Sequence, residues 1–429
     1  MSVRAASTIV ALSSGAPPAA IGVIRVSGPG AGAAIEALVG RSLEPRRPSL
    51  ALLRDEGGEV LDEALVLWFP GPRSATGEDL AEFHCHGGRA VVDAVQRALV
   101  ALPDTRAAEP GEFTRRSFAN GRMDLAEAEG LADLLSAETE MQRAAALASA
   151  QGGLSSQVSE WRDTVLRLSA QVEAALDFSD EDDVDELPEG FTWNITQLSR
   201  SLEQWLGRPR AEKLGEGYRV ALAGPPNAGK STLFNALVES EAAITSPIAG
   251  TTRDVIERNV AISGVPFSFV DTAGLREGSS DAVELIGIER ANTEMSRADL
   301  VLWLGPEGEG PDGAWEIAAQ ADTEDFIPKA SARFTLSAMT GEGVPDLKRA
   351  LVEAARGVLP KPGEVALNAR QHQLLSQAHD ALRSASQSSD LLLIGEDLRT
   401  VRLSFDRLIG KTTTEDMLDA LFGRFCIGK

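Results

Sequence analysis

Gly224 to Ser231, reading GPPNAGKS, constrain the fold of this chain more than any other eight residues. They follow an apolar run, Tyr218 to Ala223 (YRVALA), that reads as a short buried strand, and they precede TLFNALV, which reads as the opening of a helix. Strand, glycine-bearing loop and helix form the setting in which G-x-x-x-x-G-K-[ST] becomes a phosphate-binding loop. Gly224 and Gly229 let the backbone turn sharply, so that successive N–H groups point inward at phosphate oxygens. The helix start adds unpaired N–H groups and the positive end of its dipole. Lys230 is placed to reach β- and γ-phosphates, and Ser231 to offer a hydroxyl to Mg²⁺. An α/β module is therefore expected around this loop.

At 429 residues the chain is long enough for two or three domains, each with its own core. A net charge of −23 argues against non-specific coating of nucleic acid. Residues 1–118 hold 12 Lys and Arg against 14 Asp and Glu, leaving 29 basic and 50 acidic residues, or −21, for the rest. Any RNA contact is thus expected to be local and shape-based. Cys85 and Cys426 alone make no disulfide framework and suit a reducing cytosol, so a cytoplasmic location is expected. The early apolar stretch is interrupted by Pro17 and Pro18, which argues against a secretory leader, and no run approaches the length of a membrane span.

Taken in order, residues 1–118 read as an α+β unit. Ser7 to Ala11, Ala20 to Ser27 and Ala64 to Phe69 read as strands; Ala31 to Val39 and Gly88 to Ala101 read as helices. His84 and His86 would share one face of a strand. A metal site there lacks further ligands in the sequence, and a polar strand end is the favoured reading. Pro110 to Gly121 reads as a linker. From Met123 onward an Ala-, Leu- and Glu-rich stretch reads as helix, followed by a second carrying Val158, Trp161, Val165, Leu168, Val172 and Leu176 on one face. The acidic run Ser179 to Glu189 reads as a solvated connection, and Asn194 to Leu214 as a third amphipathic segment. Helices resume after Pro360-Lys361-Pro362-Gly363, with Thr413 and Asp416 placed to form a capping box. The organisation expected is an N-terminal domain over 1–118 and helical bundle parts over 119–214 and 358–429. Between those parts a P-loop α/β module over 215–357 is inserted, since such modules have ends that lie close together.

Two further strings support a nucleotide switch. Ser246 to Asp254 (SPIAGTTRD) offers Thr251 and Thr252, one of which can add a hydroxyl to Mg²⁺ when a γ-phosphate is present. The strand PFSFV then runs into Asp271-Thr272-Ala273-Gly274, where the Asp can hold the Mg²⁺ shell and the Gly274 N–H can meet the γ-phosphate. Leu275 stands where many small GTPases carry a water-orienting glutamine, so the catalytic acid must lie elsewhere, with Glu284 a candidate. The usual base-reading string Asn-Lys-x-Asp is missing. Ala319 to Asp322 (AQAD) keeps only its aspartate, and Ser337-Ala338 follows as the second base-side loop. Guanine selectivity weaker than usual is therefore expected.

The strings GVIRVSG, LWFPGPRSATGEDLAE, AEPGEFTRRSF, DLAEAEG, GPPNAGKSTLFNAL, IAGTTRD, DTAGLRE, IGIERA and the terminal CIGK together resemble the MnmE (TrmE) family of tRNA modification GTPases over nearly the whole chain. The resemblance implies a homodimer whose N-terminal domain binds 5-formyl-tetrahydrofolate or a related tetrahydrofolate, with contacts at Arg25, Glu82, Arg122 and Lys429. Arg122 stands where a lysine is expected. It implies GTP contacts at Asn227, Ala228, Gly229, Lys230, Ser231, Thr232, Ser246, Gly250, Thr251, Thr252, Asp271, Thr272, Ala273, Gly274, Asp322, Ser337 and Ala338. Mg²⁺ would take Ser231 and Thr252, and a stimulating K⁺ would take Asn227, Ser246, Ile248 and Thr251. Glu284, Lys230 and Thr251 would be the catalytic residues. A FAD-dependent MnmG (GidA) partner, in a heterotetramer-like complex, and tRNA are implied as well, for aminomethyl or carboxymethylaminomethyl addition at carbon 5 of the wobble uridine. A ribosome-assembly GTPase shares the nucleotide strings but needs neither the folate-type N-terminal half nor the CIGK tail. A non-hydrolysing nucleotide-dependent scaffold would not need Lys230, Ser231, Thr252, Asp271 and Glu284 together.

Overall fold

In the computed structural model, residues 7–177, 187–239, 242–243, 256–272, 291–324, 326–412 and 414–429 are described. The chain divides into two units, Met1–Ala132 with Asp406–Lys429, and Asp133–Phe405. Among the described residues no helix is long and apolar enough to cross a membrane.

Strands of alternating burial build the first unit. Thr8–Leu12 (β1), Ile21–Ser27 (β2), Ser49–Arg54 (β3), Val60–Phe69 (β4), Leu80–His86 (β5) and Thr105–Ala107 (β6) form one sheet in the order β3-β4-β5-β2-β1-β6. Only the β1–β6 pair is parallel. Helices Ala31–Val39 (α1) and Arg89–Val100 (α2) cover one face, setting Ile35, Leu38, Val92, Val95 and Leu99 against Val10, Ile24, Val66 and Phe83. Each such fully buried side chain contributes about 1.5–3 kcal/mol. Because side chains alternate along a strand, Arg25, Glu82 and His84 are turned to the other face. Two sequence expectations change here. β3 was not expected, and its SLALLR alternates only weakly because it is an edge strand with Leu50 and Leu52 exposed. The stretch expected as a linker is instead a helix, Glu112–Ala119 (α3), because Phe113, Thr114 and Ser117 are buried on one side of it.

The C-terminal residues complete this unit. The helix Glu415–Phe422 is held on α3 by Arg115, which bonds Asp419 at 2.7 Å and Glu415 at 2.6 Å, and by Phe118 against Phe422 with ring centroids 6.1 Å apart. Its N-cap is Thr414, without a side-chain capping bond; Thr413, expected in a capping box, lies outside the described residues. Past the helix, the Ser13 hydroxyl donates to the Gly428 carbonyl at 2.8 Å. Gly428 has φ +95°, and an added Cβ would stand 2.1 Å from the Leu12 carbonyl oxygen. Only glycine fits there.

In the second unit, the helix expected from Met123 is broken into Leu125–Ser136 (α4, which begins in the first unit) and Glu140–Ala150 (α5). The break is a capping box, in which Thr139 and Gln142 exchange side-chain and backbone hydrogen bonds. Gly153–Asp177 (α6) buries Leu154, Val158, Trp161, Val165, Leu168, Val172 and Ala175, so Ala175 rather than Leu176 ends the expected stripe. Trp161 packs on Trp205 of Phe191–Leu206 (α7) and donates its indole N–H to Ser201 at 3.0 Å. The acidic residues 178–186 lie outside the described residues.

After the short helix Ala211–Glu216 (α8), seven strands form a second sheet. They are Tyr218–Ala223 (β7), Ala242–Ala243 (β8), Ile256–Ile262 (β9), Val265–Asp271 (β10), Leu300–Trp303 (β11), Trp315–Ala318 (β12) and Phe334–Thr335 (β13). The order is β13-β12-β11-β7-β10-β9-β8, parallel except at the β9 and β8 edge. Lys230–Val238 (α9) follows β7, and Val344–Val358 (α10) follows β13. Parallel neighbours usually need a helical crossover, yet residues 304–314, which join β11 to β12, contain none. The connection instead folds over Trp303, whose indole N–H donates to the Pro306 carbonyl at 2.8 Å. A Cβ on Gly305 or Gly310 would strike that ring. The helices Ala369–Gln387 (α11) and Leu391–Leu408 (α12) close the unit. Phe405 of α12 stacks on Trp161.

Gly428→Ala should unseat the terminal turn, so that carboxypeptidase releases the last residues faster than from the wild type; unchanged trimming would contradict the seating. Burial and then the nearby Asp62 carboxylate push the Cys85 thiol up to about 12, whereas Cys426 is exposed. A thiol reagent at pH 8 should label Cys426 and leave Cys85 unmodified until the protein is denatured, as peptide mass mapping would read.

Candidate functional site

β7 is buried on both faces, as a central parallel strand must be, and delivers the phosphate loop at its carboxyl end. The loop leaves the sheet at Gly224, with φ +147°, where a Cβ would meet the Gly305 nitrogen at 2.9 Å. Asn227 and Gly229 then take left-handed conformations, φ +65° and +87°, and the second of these caps α9. Asparagine tolerates that region better than other residues with a side chain. Lys230 is 4% exposed, and its Nζ donates to the Pro225 carbonyl at 2.6 Å, so the ammonium spans the loop it must serve.

Asp271 ends β10 with 1% exposure and accepts from the Ser231 hydroxyl at 2.7 Å. The Thr272 hydroxyl donates to the Leu222 carbonyl at 2.8 Å, fastening the end of β10 to β7. Hydroxyl and carboxylate oxygen are the donors a hard divalent cation prefers. Ser231 at the start of α9 and Asp271 at the end of β10, the expected Mg²⁺-side groups among the described residues, are thus neighbours. Ser246, Ile248, Gly250, Thr251, Thr252, Ala273, Gly274, Leu275 and Glu284 lie outside the described residues.

On the base side, Gly229, Thr232, Leu233, Ala319, Gln320, Asp322, Thr323, Ala338 and Met339 line one pocket. Asp322 and Ala338, expected to meet the base, therefore share a cavity with the loop glycine. Ser337 is fully buried behind it, accepting from the Thr340 N–H at 3.1 Å and shaping the turn rather than lining the pocket. Sequence reasoning missed Gln320. Its backbone is left-handed (φ +60°), and its Nε2 donates to the Asn227 carbonyl at 3.1 Å. The available signal was its place in AQAD at the position a lysine normally holds.

A second polar cluster lies in the N-terminal sheet. Arg25 and Glu82 are register partners joined at 2.8 Å; His84 reaches the other Glu82 oxygen at 3.2 Å, and the Arg25 guanidinium stands 5.8 Å from the Phe113 ring centroid. His86 bonds Asp62 instead, at 2.7 Å, and among the described residues no group of three or more His, Cys, Asp or Glu could hold a metal ion. Arg116 links Glu78 and Glu112, each at 3.0 Å. Burial pushes the Glu112 carboxyl up, but hydrogen bonds from Arg106, the Glu109 N–H and Arg116 outweigh it and hold it below the usual carboxylate range. Of the four expected folate contacts, the structure joins Arg25 directly to Glu82. Arg122 packs over Gly77, and Lys429 sits in the terminal turn, its N–H on the Cys426 carbonyl.

The strand order and the place of the phosphate loop at the central strand make the inserted module a P-loop nucleotide-binding domain of the GTPase class. Two family profiles match the chain: "GTP-binding protein TrmE N-terminus" over residues 8–122 and "MnmE helical domain" over 125–426. The tRNA modification GTPase MnmE of Erythrobacter litoralis is 63% identical over 98% of this chain and 100% of its own length. Those of Novosphingobium aromaticivorans and Zymomonas mobilis are 60% and 49% identical, each over 98% of this chain and at least 99% of their own. The chain belongs to the MnmE family.

Asp322→Asn should exchange one of the two carboxylate acceptors lining the pocket for a donor. Guanine nucleotide affinity should fall about 100-fold, with xanthine nucleotides gaining, since the loss of charge-assisted bonds is worth roughly 3 kcal/mol. Titration with GDP and XDP would check this, and an unchanged guanine preference would contradict it.

Proposed function

We propose that this chain is a GTP hydrolase acting in the modification of tRNA, and the observation that carries the reading is the full-length identity to MnmE relatives. The described geometry supports the hydrolase part. Lys230 exchanges its Pro225 contact for phosphate oxygens when nucleotide enters, so the loop carries its own counter-charge into the site. Ser231 and Thr252 would hold Mg²⁺, and Asp271, already 2.7 Å from Ser231, would hold its shell. Bound there, Mg²⁺ neutralises charge on the β- and γ-phosphates. Asn227 is the described member of the K⁺ set, and it stands on the left-handed turn of the phosphate loop. A monovalent cation beside the β,γ-bridge would do the electrostatic work of an arginine finger. Glu284 would then orient the attacking water.

The finer reading follows the family. Residues 1–118 would bind tetrahydrofolate and dimerise, residues 119–214 and 358–429 would form the helical domain, and 215–357 the G domain. The Arg25–Glu82 pair beside Phe113 fits a flat, polar heterocycle, offering donors, acceptors and an aromatic face. Arg122 and Lys429 would meet its carboxylates. Folate supplies a one-carbon unit. A FAD-dependent MnmG-type partner would share the chemistry at carbon 5 of the wobble uridine, in the cytoplasm.

Deletion of the gene should abolish the carboxymethylaminomethyl or aminomethyl group on wobble uridines, read by mass spectrometry of tRNA digests. The wild-type gene should restore it and a Ser231→Ala copy should not. Unaltered wobble uridines in the deletion strain would sink the tRNA assignment.

A further inference from the structure

Two segments far apart in sequence meet at Gln320. Its Nε2 donates to the Asn227 carbonyl at 3.1 Å, and its side chain lies along Gly229, where an added Cβ would meet Cγ at 3.3 Å and Nε2 at 3.4 Å. Both bonded residues hold left-handed backbones, φ +60° at Gln320 and +65° at Asn227. Left-handed backbone at residues other than glycine is uncommon and persists where the surroundings hold it. Here each residue is part of what holds the other. Gln320 also lines the base pocket, in the same strand-end turn as Asp322, whose neighbour Ala321 donates its N–H to Leu336 at 3.1 Å.

The geometry points to Gln320 as a positioning residue that latches the base loop to the phosphate loop, so that base contacts and phosphate contacts are made by one preorganised unit. The inference rests on the nucleotide-site reading above and names a residue that reading does not use. A neutral amide supplies the bridge at a position where a lysine is usual. The latch therefore places no fixed cation at this edge of the pocket, and it acts by restraint of the Asn227 carbonyl rather than by charge. Cutting it frees the turn in Asn227–Gly229. Nucleotide then binds a less ordered loop, and the loss falls on binding rather than on the hydrolytic step.

The test uses the full chain and three proteins: wild type, Gln320→Ala and Gln320→Lys. In nucleotide-free protein, hydrogen exchange at the amides of Asn227, Ala228 and Gly229 should quicken in Gln320→Ala and return to wild-type rates in Gln320→Lys, whose ammonium can donate to the same carbonyl. Dissociation of fluorescently labelled GDP should quicken about 3- to 10-fold in Gln320→Ala, the loss of one hydrogen bond. KM for GTP should rise by a similar factor, with kcat within twofold of wild type. An unchanged exchange rate or an unchanged dissociation rate in Gln320→Ala overturns the latch, as does a loss that lysine fails to recover. Wild-type protein that binds no guanine nucleotide overturns the reading beneath it, while the exchange rates still decide the latch.

Discussion

A buried carboxylate must be answered by a partner, and Asp271 is answered by Ser231 across 2.7 Å. That bond can form only if β10 lies beside β7 in one register, which pairs Asp271 with Leu222. A slip of one residue would turn Asp271 to the other face of the sheet and bring Val270, itself buried, to its place beside Ser231. The stacked rings of Phe267 and Phe269, with centroids 5.6 Å apart, and the Thr272 bond to the Leu222 carbonyl hold the register from both ends. The phosphate loop is thus built on a strand pair fixed by apolar packing, and its polar groups inherit that fixity.

The same logic runs through the base side. β11, on the other flank of β7, sets Gly305 against Gly224, and β12 beyond it ends at the turn carrying Gln320 and Asp322. No crossover helix is needed between β11 and β12 because Trp303 supplies the apolar cover that a helix would bring. Strand ends, rather than long loops, place the phosphate and base groups. Helix α5 is tied to the module at its start: the Met141 N–H donates to the Gly264 carbonyl at 3.2 Å, and Gln142 Nε2 to the Leu214 carbonyl at 2.8 Å.

The P-loop, its strand and helix, and Asp271 were legible because each is a local pattern with a fixed chemical purpose. The α6 stripe was legible from its spacing up to Val172, and missed at its end because alanine gives a weak apolar signal. What depends on distant partners could not be read. Glu112–Ala119 is helical because Phe113 joins Ile9 and Ala11, more than 100 residues earlier, in one core. The terminal turn is fixed by Ser13, 415 residues away. Gln320 looked like the loss of a lysine, and its contact with Asn227 depends on two left-handed turns that no composition announces.

On the proposed reading, the phosphate loop carrying Lys230 and the adjoining pocket lined by Gly229, Gln320 and Asp322 select a guanine nucleotide with fewer base contacts than usual. Displacement of one bound, labelled GDP by unlabelled GTP, XTP and ATP tests it most directly. GTP should displace it at clearly lower concentration than ATP, with a narrower gap than a complete Asn-Lys-x-Asp string would give. Equal displacement by ATP would contradict it.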